Sequence, residues 1–222
     1  MAAMKAAGVI AVSDDGKPVS DGRVMRLALE YADSLGLKVL SHSEDKSLSG
    51  DGVANEGLNS DICGLKGITR AAEEAAVARE MILSETFSVP VHLCHVSTRG
   101  AVELIRFFKK KGVRVTAETC PHYFALNDDC IRTLDTFTKV NPPIRTEDDR
   151  TAIIEGIMDG TIDVIATDHA PHSAADKNTT YDDAAFGISG LETAFSVSYT
   201  VLVRSGLISH TDLNRLMSVR PR

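Results

Sequence analysis

The chain has 222 residues, of which 43% are hydrophobic, 25% charged and 5% aromatic, and its formal net charge is -7. That length suits one large α/β domain or two small ones and is ample for a hydrophobic core. The 24 basic residues are outnumbered by 31 acidic ones and form no long basic stripe, which argues against a nucleic-acid partner.

Hydropathy and cysteine usage predict a cytoplasmic chain. No apolar run approaches the roughly 18–20 residues of a membrane-spanning helix, so no membrane association is expected, and no secretory leader is predicted at the start. The four cysteines lack the paired spacing of a zinc knuckle and are too sparse for a disulfide scaffold. A reducing compartment fits this usage best.

Short apolar runs alternate with helical patterns along the whole chain. The runs predicted as core strands are residues 8–12, 37–41, 89–94, 113–118 and 163–166, with a short extended piece at 139–141. Helices are predicted from about residue 20 to 35, 69 to 85, 98 to 111, 146 to 159 and 211 to 218. This alternation predicts an α/β fold with a mostly parallel sheet and outer helices. We find no internal boundary, so residues 1–222 are predicted to form a single domain.

Candidate catalytic side chains follow the predicted strands within one to three residues of their last apolar position. They are Asp15, His42, His95 and Asp168. In parallel α/β folds the carboxyl ends of the strands are where catalytic groups gather, above all in (β/α)8 barrels. Five strands are too few for a closed barrel, which needs eight strands and roughly 250 residues. The prediction is therefore a partial (β/α)8 barrel, about strands 4 to 8, forming one incomplete domain.

His42 and His95 each follow an apolar strand, and imidazole is a common ligand of zinc and similar divalent ions. Spacing alone supports a shared metal ion and a pair of buried, hydrogen-bonded histidines equally well. Asp15 precedes Gly16, and Asp-Gly is also a strong turn signal. Asp168 directly follows a buried-type strand, where a carboxylate suits metal binding and proton transfer better than a helix cap.

His92 has the opposite strand parity from Leu93 and His95, so it is predicted to point into the layer between strands and helices. Three signatures are absent from the sequence: the GxSxG elbow, the Walker A loop and the GxGxxG fingerprint. Serine hydrolases, P-loop NTPases and dinucleotide enzymes are therefore disfavoured.

Seven segments together resemble the bacterial-type dihydroorotases of the metal-dependent amidohydrolase superfamily. They are SDDG (13–16), LSHSED (40–45), HLCHVST (92–98), TAETCPH (116–122), KVNPPIR (139–145), IATDHAPH (165–172) and FGISGLETA (186–194). The resemblance runs through nearly the whole chain in unbroken order. Any one segment alone would also admit a hydantoinase or an allantoinase.

The resemblance implies a reaction, a cofactor and a set of site residues. The reaction is the reversible hydrolysis of dihydroorotate to N-carbamoyl-L-aspartate, a step of pyrimidine biosynthesis, with two zinc ions in a complete enzyme. The implied metal ligands are Asp15, His42, His95 and Asp168, and Asp168 also acts as the catalytic proton carrier. The implied substrate contacts are Asn141, His172, Phe186 and Gly187. A homo-oligomer or an association with aspartate carbamoyltransferase is the implied kind of protein partner.

One element of the family pattern is missing. Dihydroorotases carry a His-x-His pair near the end of the first barrel strand, and none of the 222 residues forms such a pair. The resemblance predicts that this pair lies in strands upstream of Met1, that the chain is truncated at both ends, and that it is inactive alone.

Two alternatives of different kinds remain at this point. One is another cyclic amidohydrolase, such as a hydantoinase or allantoinase, although those enzymes supply a carboxylated lysine where this chain has Asp15. The other is a non-catalytic scaffold like the dihydroorotase-like partners of some aspartate carbamoyltransferases, which are expected to have lost ligands by substitution.

Overall fold

Among the residues that the structure describes, seven short strands are all paired in parallel. The structure is a computed structural model and describes residues 1–221. In chain order the strands are β1 (Ala11–Ser13), β2 (Lys38–Ser41), β3 (Ala54–Asn55), β4 (Gly67–Ile68), β5 (Val91–Leu93), β6 (Val115–Thr119) and β7 (Val164–Ile165). The main sheet has the order β1-β2-β5-β6-β7, and β3 pairs with β4 separately. Strands that follow one another in the main sheet are therefore neighbours in space, as in a wall of a barrel.

Helices connect the strands of the main sheet. In chain order they are α1 (Ala2–Ala6), α2 (Gly22–Ser34), α3 (Lys46–Ser49), α4 (Leu58–Cys63), α5 (Arg70–Phe87), α6 (Arg99–Lys110), α7 (Pro121–Ala125), α8 (Glu147–Met158), α9 (Ala174–Lys177), α10 (Ala194–Ser198) and α11 (His210–Asn214). Short 3-10 segments span Asp128–Thr133 and Thr136–Thr138, and π-helical turns span Tyr199–Val203 and Arg215–Val219. The predicted α/β class is confirmed.

The long helices begin where side chains cap them. Thr98 accepts a hydrogen bond from the Ala101 amide at the start of α6, and Thr146 forms a capping box with Asp149 at the start of α8. Asp21 caps α2 by accepting from two backbone amides. Helix α2 thus begins at Gly22, two residues after the start predicted near residue 20.

The main core fills the space between the sheet and the long helices. From the sheet it receives Val39, Leu93 and Ala117, and from α6 it receives Val102 and Ile105. These residues expose 5% or less of their surface. Burial of their apolar surface stabilises the fold by about 25 cal/mol for each Å² removed from water. The core holds the strands in register, and the register in turn positions the loops at the strand ends.

All five predicted core strands are present, but each is shorter or shifted by a few residues. The strand predicted at 89–94 pairs only over β5, because Pro90 has no N–H to donate to the ladder. The backbone then turns at His95, whose φ of 38° is not a strand conformation. The extended piece predicted at 139–141 forms no strand in the part of the chain that the structure describes.

The prediction for His92 was wrong. His92 lies opposite Leu40 and Thr116 in the sheet, on the face away from the core helices. Its Nδ1 lies 2.8 Å from the Thr116 hydroxyl and its Nε2 lies 3.0 Å from a Glu118 carboxylate oxygen. The parity argument failed because it ran the strand through His95, whereas the strand ends at Leu93 and the chain turns before His95.

A pair of substitutions on α6 tests this packing. Ile105 is fully buried, whereas Phe107 on the same helix is 55% exposed. Ile105→Ala should lower the free energy of unfolding by about 2–5 kcal/mol, because it removes buried methyl groups and leaves a cavity. Phe107→Ala should cost less than about 1 kcal/mol. Urea unfolding followed by circular dichroism measures both, and equal losses would contradict the assignment of the two faces.

Candidate metal centre

The parallel register brings three candidate ligands to one edge of the sheet. Ser13 lies opposite Leu40, and Ser41 lies opposite Leu93. Asp15, His42 and His95 follow these strands by two, one and two residues, so their loops emerge side by side.

The donor atoms of these three residues form a compact triangle. His42 Nδ1 lies 2.8 Å from His95 Nε2 and 3.1 Å from Asp15 Oδ1, and His95 Nε2 lies 3.7 Å from the same Asp15 oxygen. Two ligands at 2.0–2.1 Å from one ion and at tetrahedral angles would be about 3.3 Å apart. The observed separations bracket that value, and two imidazoles with a carboxylate are a ligand set that zinc accepts. The residues therefore fit a divalent ion.

Asp14, the neighbour of Asp15, uses its carboxylate to accept the backbone hydrogen bonds that shape this loop. One of its carboxylate oxygens accepts from the His42 amide at 2.9 Å, and the other accepts from the Val19 amide at 2.9 Å. Asp14 thus ties the loop after β1 to the loop after β2. The Asp15 side chain is 59% exposed and remains directed at the two imidazoles.

The electrostatics of the triangle favour a negatively charged Asp15 beside a positively charged His42. Hydrogen bonds with His42 and His95 hold the pKa of Asp15 well below its usual range. Burial opposes a charge on His42, but hydrogen bonds with Asp15 and Glu44 outweigh it and raise its pKa to about 9. A proton on His42 therefore competes with any cation for this site.

The loop that carries the third candidate ligand, His95, is held by a buried carboxylate on α5. Glu73 of α5 accepts from the amides of Ser97 and Thr98, at 2.9 and 3.1 Å, just after His95. Glu73 is 4% exposed. These bonds fix the loop that carries His95 against the helical layer, which restrains the position of its imidazole.

A cavity of about 580 Å³ opens beside the triangle, a size typical of small-molecule sites. Six of the eight candidate site residues line it: Asp15, His42, Asn141, Asp168, Phe186 and Gly187. His95 is not one of the lining residues and is 4% exposed.

Asp168 faces the same cavity without joining the triangle. Its carboxylate lies instead within 4.8 Å of ligand atoms of Cys120 and His122. Burial raises the pKa of Asp168 above its usual value, and the like charge of Asp15 acts in the same direction. A carboxyl group with a raised pKa is suited to accepting and returning a proton.

The loop that carries Phe186 and Gly187 lines the same cavity. Gly187 has a φ of 138°, and a Cβ there would lie 2.5 Å from the Ala170 carbonyl oxygen, so only glycine fits. His172 is exposed and its Nε2 lies 2.8 Å from the Phe186 carbonyl oxygen. The structure thus places the His172 imidazole against this loop, at the border of the cavity.

Lys139 and Glu44 are two of the cavity residues that were not among the predicted site residues. Lys139 donates to the Asp182 carbonyl at 2.8 Å, and its Nζ lies 4.5 Å from the centre of the Phe186 ring. Glu44 is 5% exposed and lies 2.9 Å from His42 Nε2. Its position two residues after a candidate ligand was the available sequence signal, since ligating imidazoles are commonly held by a carboxylate.

Comparison with known proteins identifies the family. The family model described as dihydro-orotase-like matches residues 1–101. The chain is 53% identical over 218 residues to a dihydroorotase of Acetivibrio thermocellus, covering 98% of this chain and 51% of that protein. It is 52% identical over 221 residues to a dihydroorotase of Thermoanaerobacter sp., covering 100% of this chain and 51% of that protein. The chain belongs to the dihydroorotase family.

This dihydroorotase-family chain spans about half the length of the curated relatives it matches. The fold is shared with an L-hydantoinase from Arthrobacter aurescens at a TM-score of 0.84 and 23% identity, over 99% of this chain and 51% of that one. The predicted partial barrel of parallel strands and outer helices is confirmed. Among residues 1–221, no helix combines the length and the apolar character needed to cross a membrane.

His122 provides a test of the packing beside Asp168. Its Nε2 is buried and has no hydrogen-bond partner among the described residues, and burial lowers its pKa to about 3. Below pH 6.5 the unfolded chain takes up a proton that the folded chain does not, so stability falls as the pH falls towards 3. Between pH 7 and pH 5 this should cost about 2 kcal/mol.

The His122→Gln variant should lose that part of the pH dependence, as measured by urea unfolding at the two pH values. The exposed His210 supplies the matched control, His210→Gln, which should keep the wild-type dependence. A His122→Gln variant with an unchanged dependence would show that His122 is not buried in its neutral form.

Proposed function

We propose that this chain carries one metal position and part of the substrate site of a dihydroorotase, which hydrolyses dihydroorotate reversibly to N-carbamoyl-L-aspartate. The observation that supports this best is the convergence of Asp15, His42 and His95 beside a cavity of about 580 Å³. The curated relatives named dihydroorotase, at 52–53% identity over almost the whole chain, supply the reaction.

The proposed ligands of this metal position are Asp15, His42 and His95, with Asp168 as a further ligand at the second position. The proposed ion is zinc, because two imidazoles and carboxylates with an open position are typical of catalytic zinc sites. Such an ion would polarise a carbonyl group and lower the pKa of a water molecule towards about 7.

The residues of the chain supply the remaining chemistry. Hydrolysis forms a bond between a water oxygen and the ring carbonyl carbon and breaks the ring C–N bond. The nitrogen leaves with a proton, and Asp168 is the proposed group that takes this proton from the attacking water and returns it to the nitrogen. Its raised pKa keeps the protonated form accessible during the transfer.

The proposed substrate contacts surround the same cavity. Asn141 can donate to a ring or carboxylate oxygen, while Phe186 and Gly187 supply an aromatic face and a close backbone approach. We propose that His172 acts at the border of the site, where it also supports the Phe186 carbonyl.

The number of metal ligands limits the activity that we propose for this chain alone. A dizinc centre needs ligands beyond those named above, and the sequence contains no His-x-His pair. We therefore propose two zinc ions for a complete enzyme and only the position at His42 and His95 for this chain. A non-catalytic dihydroorotase-like scaffold is expected to have lost such ligands by substitution, so metal binding separates the two hypotheses.

Zinc binding tests the proposed centre. The purified chain should bind zinc at one tight position, measured by competition with chromophoric chelators of graded affinity. His95→Ala should weaken binding by at least roughly 100-fold, since losing a ligand costs more than losing an outer hydrogen-bond partner. His210→Ala, on the surface, should leave the affinity unchanged. Equal affinities for wild type and His95→Ala would refute the centre.

Turnover tests the proposed substrate and the ligand count together. With zinc added, the purified chain should hydrolyse dihydroorotate at less than about one hundredth of the rate of a full-length relative, because the second position lacks ligands. Hydantoin and allantoin, assayed in parallel, should be poorer substrates than dihydroorotate. A rate close to that of a full-length enzyme would contradict the ligand count, and a preference for hydantoin would contradict the substrate.

A further inference from the structure

One buried carboxylate links the proposed metal centre to the proposed substrate site. Glu44 lies between β2 and α3 and is 5% exposed. Its Oε2 atom lies 2.9 Å from His42 Nε2, 2.7 Å from Lys46 Nζ and 3.1 Å from Asn141 Nδ2. Asn141 is 97 residues further along the chain, so this contact joins two separate loops at the edge of the cavity.

The contact between Glu44 and His42 determines which ring nitrogen of His42 is available to bind a metal ion. A neutral imidazole has one nitrogen that donates and one that accepts. A carboxylate accepts only, so the hydrogen bond to Glu44 requires the proton on Nε2. The lone pair is then on Nδ1, which is the nitrogen that faces His95 and Asp15. Glu44 therefore holds His42 in the tautomer and the ring orientation that a metal ion needs.

The contact with Asn141 orients the side chain on the substrate side. One N–H of the amide is used by Glu44, which restricts rotation of the amide group and leaves its other N–H and its oxygen for a ligand in the cavity. Lys46 supplies a positive charge that offsets the buried carboxylate, and its side chain is 48% exposed at the border of the same cavity.

We propose that Glu44 is a positioning residue that sets the His42 imidazole for metal binding and the Asn141 amide for substrate binding. This inference rests on the proposed zinc centre and adds to it a residue that acts through His42 without touching the ion. If it is correct, removing the negative charge of Glu44 weakens zinc binding only while His42 is present.

The experiment is a double-mutant cycle on zinc affinity. Glu44→Gln keeps the size of the side chain but removes its charge, and it should weaken zinc binding about 10–100-fold, the usual effect of losing an outer partner of a ligating histidine. Glu30→Gln is the matched control, because Glu30 pairs with Arg26 on the exposed face of α2, and it should have no effect.

The two backgrounds of the cycle are His42→Ala and His95→Ala. With His42 absent, Glu44→Gln should change the zinc affinity by less than about twofold, because the residue through which it acts is gone. With His95 absent, the same substitution should still weaken binding about 10–100-fold. Chelators of weaker affinity extend the measurement to these variants, and circular dichroism establishes that each is folded.

The outcomes separate this inference from the proposed centre. If Glu44→Gln weakens binding equally in all three backgrounds, Glu44 supports the fold in general and the positioning role is overturned. If His42→Ala weakens binding and Glu44→Gln does not, the centre stands and the role of Glu44 is refuted. If His42→Ala has no effect on zinc affinity, the proposed centre fails and the role of Glu44 fails with it.

Discussion

The parallel register of β1, β2 and β5 is the constraint on which the candidate site depends. A shift of one residue along a strand moves it by about 3.3 Å and turns its side chains to the opposite face. The donor atoms of Asp15, His42 and His95 lie only 2.8–3.7 Å apart, so one such shift would separate them completely. The core between the sheet and helices therefore has a functional consequence, because it holds the strands in the only register that assembles the triangle.

Buried polar contacts extend this constraint from the strands to the loops. Arg145 donates to the Asn55 side chain at 3.0 Å and to the Ile68 carbonyl at 2.7 Å, and it lies 3.9 Å from Glu73. Glu73 in turn holds the loop after His95. A buried pair of this kind adds little net stability, but removing one partner leaves the other charge uncompensated. Its main effect is to fix the geometry of two loops relative to each other.

The sequence predicted the parts of the site that depend on strand order and missed those that depend on side-chain direction. His42 and His95 were recognisable because each follows an apolar strand, and the strand ends of a parallel sheet converge. The partnership of Glu44 with Asn141 joins residues 97 positions apart and has no local signal. His92 was misplaced because the end of β5 depends on a backbone turn at His95 that periodicity does not reveal.

Backbone strain coincides with two of the proposed ligands. In the described residues, only four that are not glycine have positive φ, and His95 (38°) and Asp168 (45°) are two of them. Such a conformation costs roughly 1–3 kcal/mol and persists only where the surroundings enforce it. After His95, the Val96 amide donates to the Glu118 carbonyl at 2.8 Å, which anchors the turn to β6. The fold thus stabilises two unfavourable conformations at the strand ends: Asp168 lines the cavity, and His95 lies against His42 and Asp15 beside it.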